Sequence, residues 1–144
     1  MSFDPHFELH PRLAADTWRL ADWPLSCLLA MNDAQFPWCI LVPRRANLRE
    51  IYELDDADRA QLMRESMDLG RAMMQAFGGY KLNLGALGNV VPQLHLHHIV
   101  RLQTDIAWPA PVWGRQAALP YDPAGQRTFV ERLSAHLTGS HRIG

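Results

Sequence analysis

Hydrophobic and polar positions follow two different periods along this chain, and the places where the period changes mark out its elements. Thr17-Trp18-Arg19-Leu20 is a short strand pattern, and a polar turn around Ala21-Asp22 separates it from the apolar run Leu25 to Met31. Asn32-Asp33-Ala34-Gln35 then reads as a hairpin-type loop. It leads into Trp38 to Val42, a continuous run of β-formers closed by Pro43, which predicts a buried strand of a sheet covered on one face by a helix. Together these runs predict an antiparallel meander.

The helical period begins after Asp55 or Asp56, either of which can cap a first turn that also holds Asp58, and it stops at Gly78-Gly79. Met63, Met67, Met74 and Phe77 recur at helical spacing with Leu62, Leu69 and Met73 beside them, so this stripe is expected to lie on the sheet as core. Two alternating strand patterns follow, Lys81-Leu82-Asn83-Leu84 and Leu94 to Leu102, joined by the loop Gly85-Ala86-Leu87-Gly88-Asn89. Trp108-Pro109-Ala110-Pro111-Val112-Trp113-Gly114 is too rich in proline for a helix or strand interior and is expected to run extended over the surface. Gln126 to Leu137 predicts a last short helix. No repeat or low-complexity block interrupts the pattern, so residues 1–144 read as a single domain.

Chemistry concentrates in Gln93-Leu94-His95-Leu96-His97-His98-Ile99-Val100-Arg101. The period-2 geometry of a strand puts Gln93, His95 and His97 on one face, each about 6.5–7 Å from the next, and turns His98 to the other. Three polar side chains in line make an expensive core, because each needs a partner once buried. A cleft that receives a ligand explains them better. Histidine suits such a cleft, since an unprotonated imidazole attacks phosphorus at neutral pH. Upstream, Gly85 and Gly88 allow a loop to bring backbone N–H groups against phosphate oxygens, and Asn83 and Asn89 offer neutral donors.

Composition narrows the ligand. The 144 residues are 48% apolar, enough for one core, and 14 basic against 15 acidic residues leave a net charge of −1. No positive field exists to hold a nucleic-acid backbone, so a small ligand is the expected partner. Cys27 and Cys39 lie inside apolar runs and read as buried free thiols. The start of the chain lacks the pattern of a signal peptide, and no apolar run approaches the ~20 residues that span a bilayer. A cytoplasmic location without membrane contact is the resulting expectation.

The same segment resembles the histidine triad (HIT) superfamily, whose signature is His-φ-His-φ-His-φ-φ with φ apolar. Asn83-Leu84-Gly85 and Gly88-Asn89-Val90-Val91 look like the family's phosphate-binding segments, and Ile40-Leu41-Val42-Pro43-Arg44 is similar to its Leu-Val-Ile-Pro-Lys strand. The resemblance covers about residues 8 to 115, leaving 116–144 as a C-terminal extension. It implies an α+β fold, an antiparallel sheet with a long helix packed on it and a short C-terminal helix. It further implies His95 as the nucleophile, His97 as the phosphate and leaving-group contact, and Gln93 in the first triad place. Asn32 and Asp33 fall where the family binds ribose, and Asn83, Gly88, Asn89 and Val91 where it binds phosphate. The implied activity is hydrolysis or transfer of a nucleoside monophosphate from a phosphoramidate, dinucleotide or adenylate through a covalent histidine intermediate. No metal or cofactor is implied for this step, and a homodimer is.

Three positions depart from the pattern: Gln93 replaces the first triad histidine, Trp38 the histidine before the Leu-Val-Ile-Pro strand, and Ala46 the one after it. A glutamine donates no proton but can orient an imidazole through its carbonyl oxygen. Because of Gln93, a nucleotide-binding or sensing module without turnover stands as the alternative. A His-x-His pair can also hold zinc, although the third ligand would have to come from elsewhere. Trp108 and Trp113 are read either as packing residues or as the mouth of the site.

Overall fold

A computed structural model of the chain describes residues 4–144. The apolar runs become β1 (Thr17–Asp22), β2 (Ser26–Met31), β3 (Trp38–Pro43), β4 (Lys81–Gly85) and β5 (Leu96–Arg101). They pair antiparallel throughout, in the order β1-β2-β3-β5-β4. Three helices accompany the sheet: α1 (Pro11–Asp16), α2 (Asp56–Phe77) and α3 (Pro123–Ser134). The fold class is α+β, with the long helix on one face and the short C-terminal helix beside it. No helix among the described residues is long and apolar enough to cross a membrane.

Two apolar clusters sandwich the sheet. On one face Leu28, Cys39, Leu41, Leu96 and Val100 pack against Leu62, Leu69 and Met73 of α2. On the other, Cys27, Leu29, Ile40, Val42 and Ile99 are covered by Leu13, Phe36, Ala107 and Val112. Strand alternation therefore places Cys27 and Cys39 on opposite faces, and both are free and buried. Burial pushes the Cys27 thiol up to about 11. Each fully buried leucine in these layers contributes roughly 2 kcal/mol of transfer free energy.

Helix α2 starts as its acidic residues predict: Asp55 accepts the Asp58 N–H, and Gly78 closes the helix in the left-handed conformation at φ 61°. Its buried face differs from the expected methionine stripe, since Met63 is 57% and Met67 40% exposed. The face against the sheet is Leu62, Glu65, Ser66, Leu69, Gly70 and Met73. Polar residues occupy it because each has a partner there: the Glu65 carboxylate accepts the backbone N–H groups of Leu25 and Ser26, and the Ser66 hydroxyl meets His98. A residue-type stripe missed this, because the partners belong to other elements.

Other boundaries shift for local reasons. β1 runs two residues past Leu20, with a register irregularity between Arg19 and Ala21. α1 is capped by the His10 ring, which accepts the Arg12 N–H. α3 begins three residues before Gln126, capped by Asp122 with Pro123 in the first turn, and ends at Ser134. β5 starts at Leu96, so Gln93 and His95 precede the regular strand. The segment 108–114 is not extended over the surface. It folds back in turns, Ala110 N–H to the Ala107 carbonyl and Arg115 N–H to that of Val112, and its Val112 is buried on the sheet.

Candidate active site

The site lies on the sheet face opposite α2. In the register of β3 with β5, His97 pairs with Ile40 and His98 with Cys39, so alternation sends the two histidines to opposite faces. His98 is wholly buried under α2, with Nε2 2.8 Å from the Ser66 hydroxyl and Nδ1 donating to the Leu96 carbonyl at 3.1 Å. His97 faces the other layer. Its Nε2–H donates to the Leu87 carbonyl at 2.9 Å, and its Nδ1 accepts the Trp38 indole N–H at 3.0 Å. A carbonyl only accepts and an indole N–H only donates, so this pair fixes the neutral Nε2–H tautomer.

His95 is held differently. Its Nδ1 lies 2.7 Å from the backbone carbonyl of Gln93, which requires the proton on Nδ1 and, in the neutral ring, puts the lone pair on Nε2. The His95 and His97 rings meet edge to face, 4.8 Å between centroids. On its other side the His95 ring rests against Gly88, where a Cβ would lie 2.9 Å from Cε1 of the ring and 2.7 Å from the Val91 carbonyl. Glycine is required there by close approach, not by its dihedral angles.

Two cavities flank this pair. One of about 230 Å³ opens beside His95 and is lined by Arg49, Glu50, Ala86, Gly88, Asn89 and Pro92, among others. A second, of about 440 Å³, is bounded by Met31, Asn32, Asp33, Trp38, Val112 and Trp113. Trp113 joins this cavity to the histidines: its ring lies 5.2 Å edge-on from His97 and 6.3 Å from Trp38. Its buried indole N–H has no acceptor among the described residues.

The residues singled out from the sequence divide accordingly. His95, Gly88 and Asn89 share the smaller cavity, with His97 behind the His95 ring. Asn32 and Asp33 border the larger one, where both carry local structure: the Asn32 side chain accepts the Tyr121 N–H, and Asp33 Oδ1 accepts from Gln35 and Leu119. Asn83 and Val91 line neither cavity. The Asn83 side-chain oxygen Oδ1 accepts from Arg101, itself bidentate to Asp105 at 2.8 and 3.0 Å, and Val91 is packed into the apolar layer. Trp108 packs on the same Arg101 guanidinium. Gln93 orients the imidazole by its main chain and not by its side-chain carbonyl, because the side chain is turned to the N-terminal segment, accepting the His10 N–H and donating to the Glu8 carbonyl.

Burial, and secondarily the nearby His95, lowers the pKa of His97 to about 4, and burial lowers that of His98 to about 3. An unfolded histidine takes its proton near 6.5, so neither group affects stability above that pH, while below it the unfolded chain gains protons that the fold refuses. The melting temperature is expected to hold above about pH 6.5 and to fall progressively toward pH 4, each unit of difference contributing roughly 1.4 kcal/mol. Thermal melts of the wild type and of His98→Ala test this. The variant melts lower at pH 7.5, having lost a packed ring, yet shows a shallower acid decline and keeps its turnover within about tenfold. A loss as deep as that of a His95 substitution contradicts the placement of His98 behind the sheet.

An antiparallel sheet covered by one long helix, with a tautomer-fixed histidine backed by a second histidine two residues on, is the architecture of a histidine triad protein. The HIT domain family model matches residues 13–104, and the chain belongs to this family. It is similar to a histidine triad protein from Marinobacter aquaeolei VT8, at 52% identity over 91% of this chain and 96% of that one, with a TM-score of 0.89. A histidine triad protein from Bradyrhizobium japonicum is 45% identical over 92% and 98% (TM-score 0.89), and one from Sinorhizobium meliloti 1021 is 41% identical over 91% and 97% (TM-score 0.89). Comparison with curated proteins finds no match.

Proposed function

We propose that the protein is a nucleotide hydrolase or nucleotidyl transferase acting at the α-phosphate of a nucleoside phosphoramidate, dinucleotide or adenylate. The observation that carries this reading is the bond from His95 Nδ1–H to the Gln93 carbonyl, which in the neutral ring leaves the lone pair on Nε2 of a residue that lines the cavity. Nε2 attacks phosphorus, a P–N bond forms as the bond to the leaving group breaks, and the leaving group carries away the electron pair, an amine taking its proton from water in the open cavity. Water then attacks the same phosphorus, releasing the nucleoside monophosphate and returning the lone pair to Nε2. Backbone N–H groups of the loop at Gly88 and Asn89 are the donors available to the phosphate oxygens.

The larger cavity suits the nucleoside, with a base against Trp113 and Trp38 and the ribose toward Asn32 and Asp33. His97 acts here as a positioning residue. Both its nitrogens are engaged within the protein, and it braces the His95 ring and holds the loop through Leu87. That engagement also favours the second reading, a nucleotide-binding module without turnover, since neither His97 nor the averted Gln93 offers a proton to a departing group. Purified protein with adenosine and guanosine phosphoramidates, dinucleoside polyphosphates and adenylates separates the two: release of monophosphate supports the enzyme, and binding without release the module.

A two-fold dimer is part of this proposal. β4 is an edge strand, Leu84 on it is 44% exposed, and the exposed Met63 and Met67 lie on the helix that packs beside it. An open edge next to an apolar patch is a pairing surface. Sedimentation is expected to report twice the mass of one chain. A single-chain mass at tens of micromolar contradicts it.

A further inference from the structure

Beyond the His95 cavity the fold holds a third space of about 490 Å³, between the N-terminal segment and residues 46–49, whose walls include His6, Glu8, His10, Asn47 and Arg49. It shares Arg49, Pro92 and Gln93 with the cavity beside the nucleophile. We propose that this space is the leaving-group subsite and that it selects leaving groups carrying an anionic tail, which Arg49 pairs at the boundary between the two cavities. The inference rests on the reading of His95 as the group that takes the nucleotide.

Three observations lead to it. The subsite is built by the residue that departs from the triad: the Gln93 side chain accepts the His10 N–H at 2.9 Å and donates to the Glu8 carbonyl at 2.8 Å, and so holds the N-terminal segment beside His95. Asp4 adds a second tie by accepting the Ala46 N–H at 2.8 Å. Next, the Arg49 guanidinium has no hydrogen-bond or ion-pair partner among the described residues, although its backbone N–H is fixed by Glu53. The guanidinium is a planar fork that matches a carboxylate or phosphate, and on this exposed residue it costs little to present. Of the acids on these walls, Glu8 lines only the outer cavity, and Glu50, which lines the inner one, is engaged in capping the turn at 51–53, whereas Arg49 lines both. Finally, His10 accepts the Arg12 N–H at Nδ1, which leaves Nε2–H as a donor on a residue of the outer wall. The nucleoside is then assigned to the cavity of Trp38 and Trp113, which shares no lining residue with the two cavities that Arg49 lines.

The test compares adenosine 5′-phosphoramidates of 5-aminopentanoate and of 5-aminopentanamide, which differ in one carboxylate remote from the reacting nitrogen. Wild type is expected to prefer the acid by about tenfold in kcat/KM, Arg49→Gln to bring the ratio near one, and Glu8→Gln to raise it. Because one pair is compared across proteins, any intrinsic difference between the two amines cancels. Calorimetric binding of both compounds to His95→Asn supplies the same ratio without turnover. Turnover with a ratio indifferent to Arg49 overturns the subsite and leaves the nucleotidyl-transfer reading standing. A binding ratio that depends on Arg49, with no turnover by wild type, overturns the enzyme and keeps the anion site. Failure of both compounds to bind or react overturns both.

Discussion

His95→Ala is expected to lower turnover of a nucleoside phosphoramidate by about 10³-fold or more, which corresponds to about 4 kcal/mol of transition-state stabilisation. Among the described residues only this histidine lines a cavity with Nδ1 locked by a backbone carbonyl and Nε2 without a partner in the fold, while the two nitrogens of His97 are both occupied and His98 lies beneath the helix. Removing the ring removes the atom that forms the P–N bond, and no other group on that wall replaces it. The Gln93 carbonyl then loses its donor, but it faces a cavity where water can reach it, so the fold survives. Melting curves within a few degrees of wild type accompany the kinetic loss; a variant that retains most of its activity contradicts the nucleophile assignment.

Gly88→Ala is expected to reduce kcat by about 10²-fold while leaving the protein folded. The added methyl would stand 2.9 Å from the His95 ring and 2.7 Å from the Val91 carbonyl, and neither distance is tolerable. Backbone on one side cannot yield cheaply, so the ring turns or the loop moves outward, and either breaks the alignment of Nε2 with the phosphorus. Displacement of a reacting group by about 1 Å is enough for a loss of this size. Gly85 is the contrast. A Cβ there meets only Trp113, at 3.5 Å, so Gly85→Ala is expected to stay within about threefold of wild type under the same kinetic assay. Equal effects at the two glycines would contradict the close packing of Gly88 on the nucleophile.

Much of this arrangement was legible in the chain. The period-2 run through His97 and His98 determined which histidine faces the site, because a pleated strand leaves no other choice, and the capping aspartates and Gly78 located the long helix. What was hidden depends on partners distant in sequence. Glu65 and Ser66 lie on the buried face of α2 because the backbone N–H groups of Leu25 and Ser26, at the entry to β2, and a histidine of β5 wait there, and no local pattern signals that. Nor does a residue type announce that the carbonyls of Gln93 and Leu87 will set the tautomers of two histidines. Trp38 was visible as the start of a strand and as a missing histidine; its indole proves to be the donor that, with Leu87, fixes the tautomer of His97. The proline-rich segment read as surface because proline excludes regular structure, yet turns also satisfy it, and they bring Val112 and Trp113 onto the sheet.

The central claim is that Nε2 of His95 carries the nucleotide during turnover. Protein mixed with a substrate in excess, quenched without acid because a phosphohistidine-type bond is labile to it, and digested for mass spectrometry tests this most directly. A nucleoside monophosphate adduct on the peptide containing His95, present in wild type and absent from His95→Ala, is the result expected. Rapid release of monophosphate with no adduct on that peptide, and with activity retained by His95→Ala, would contradict it.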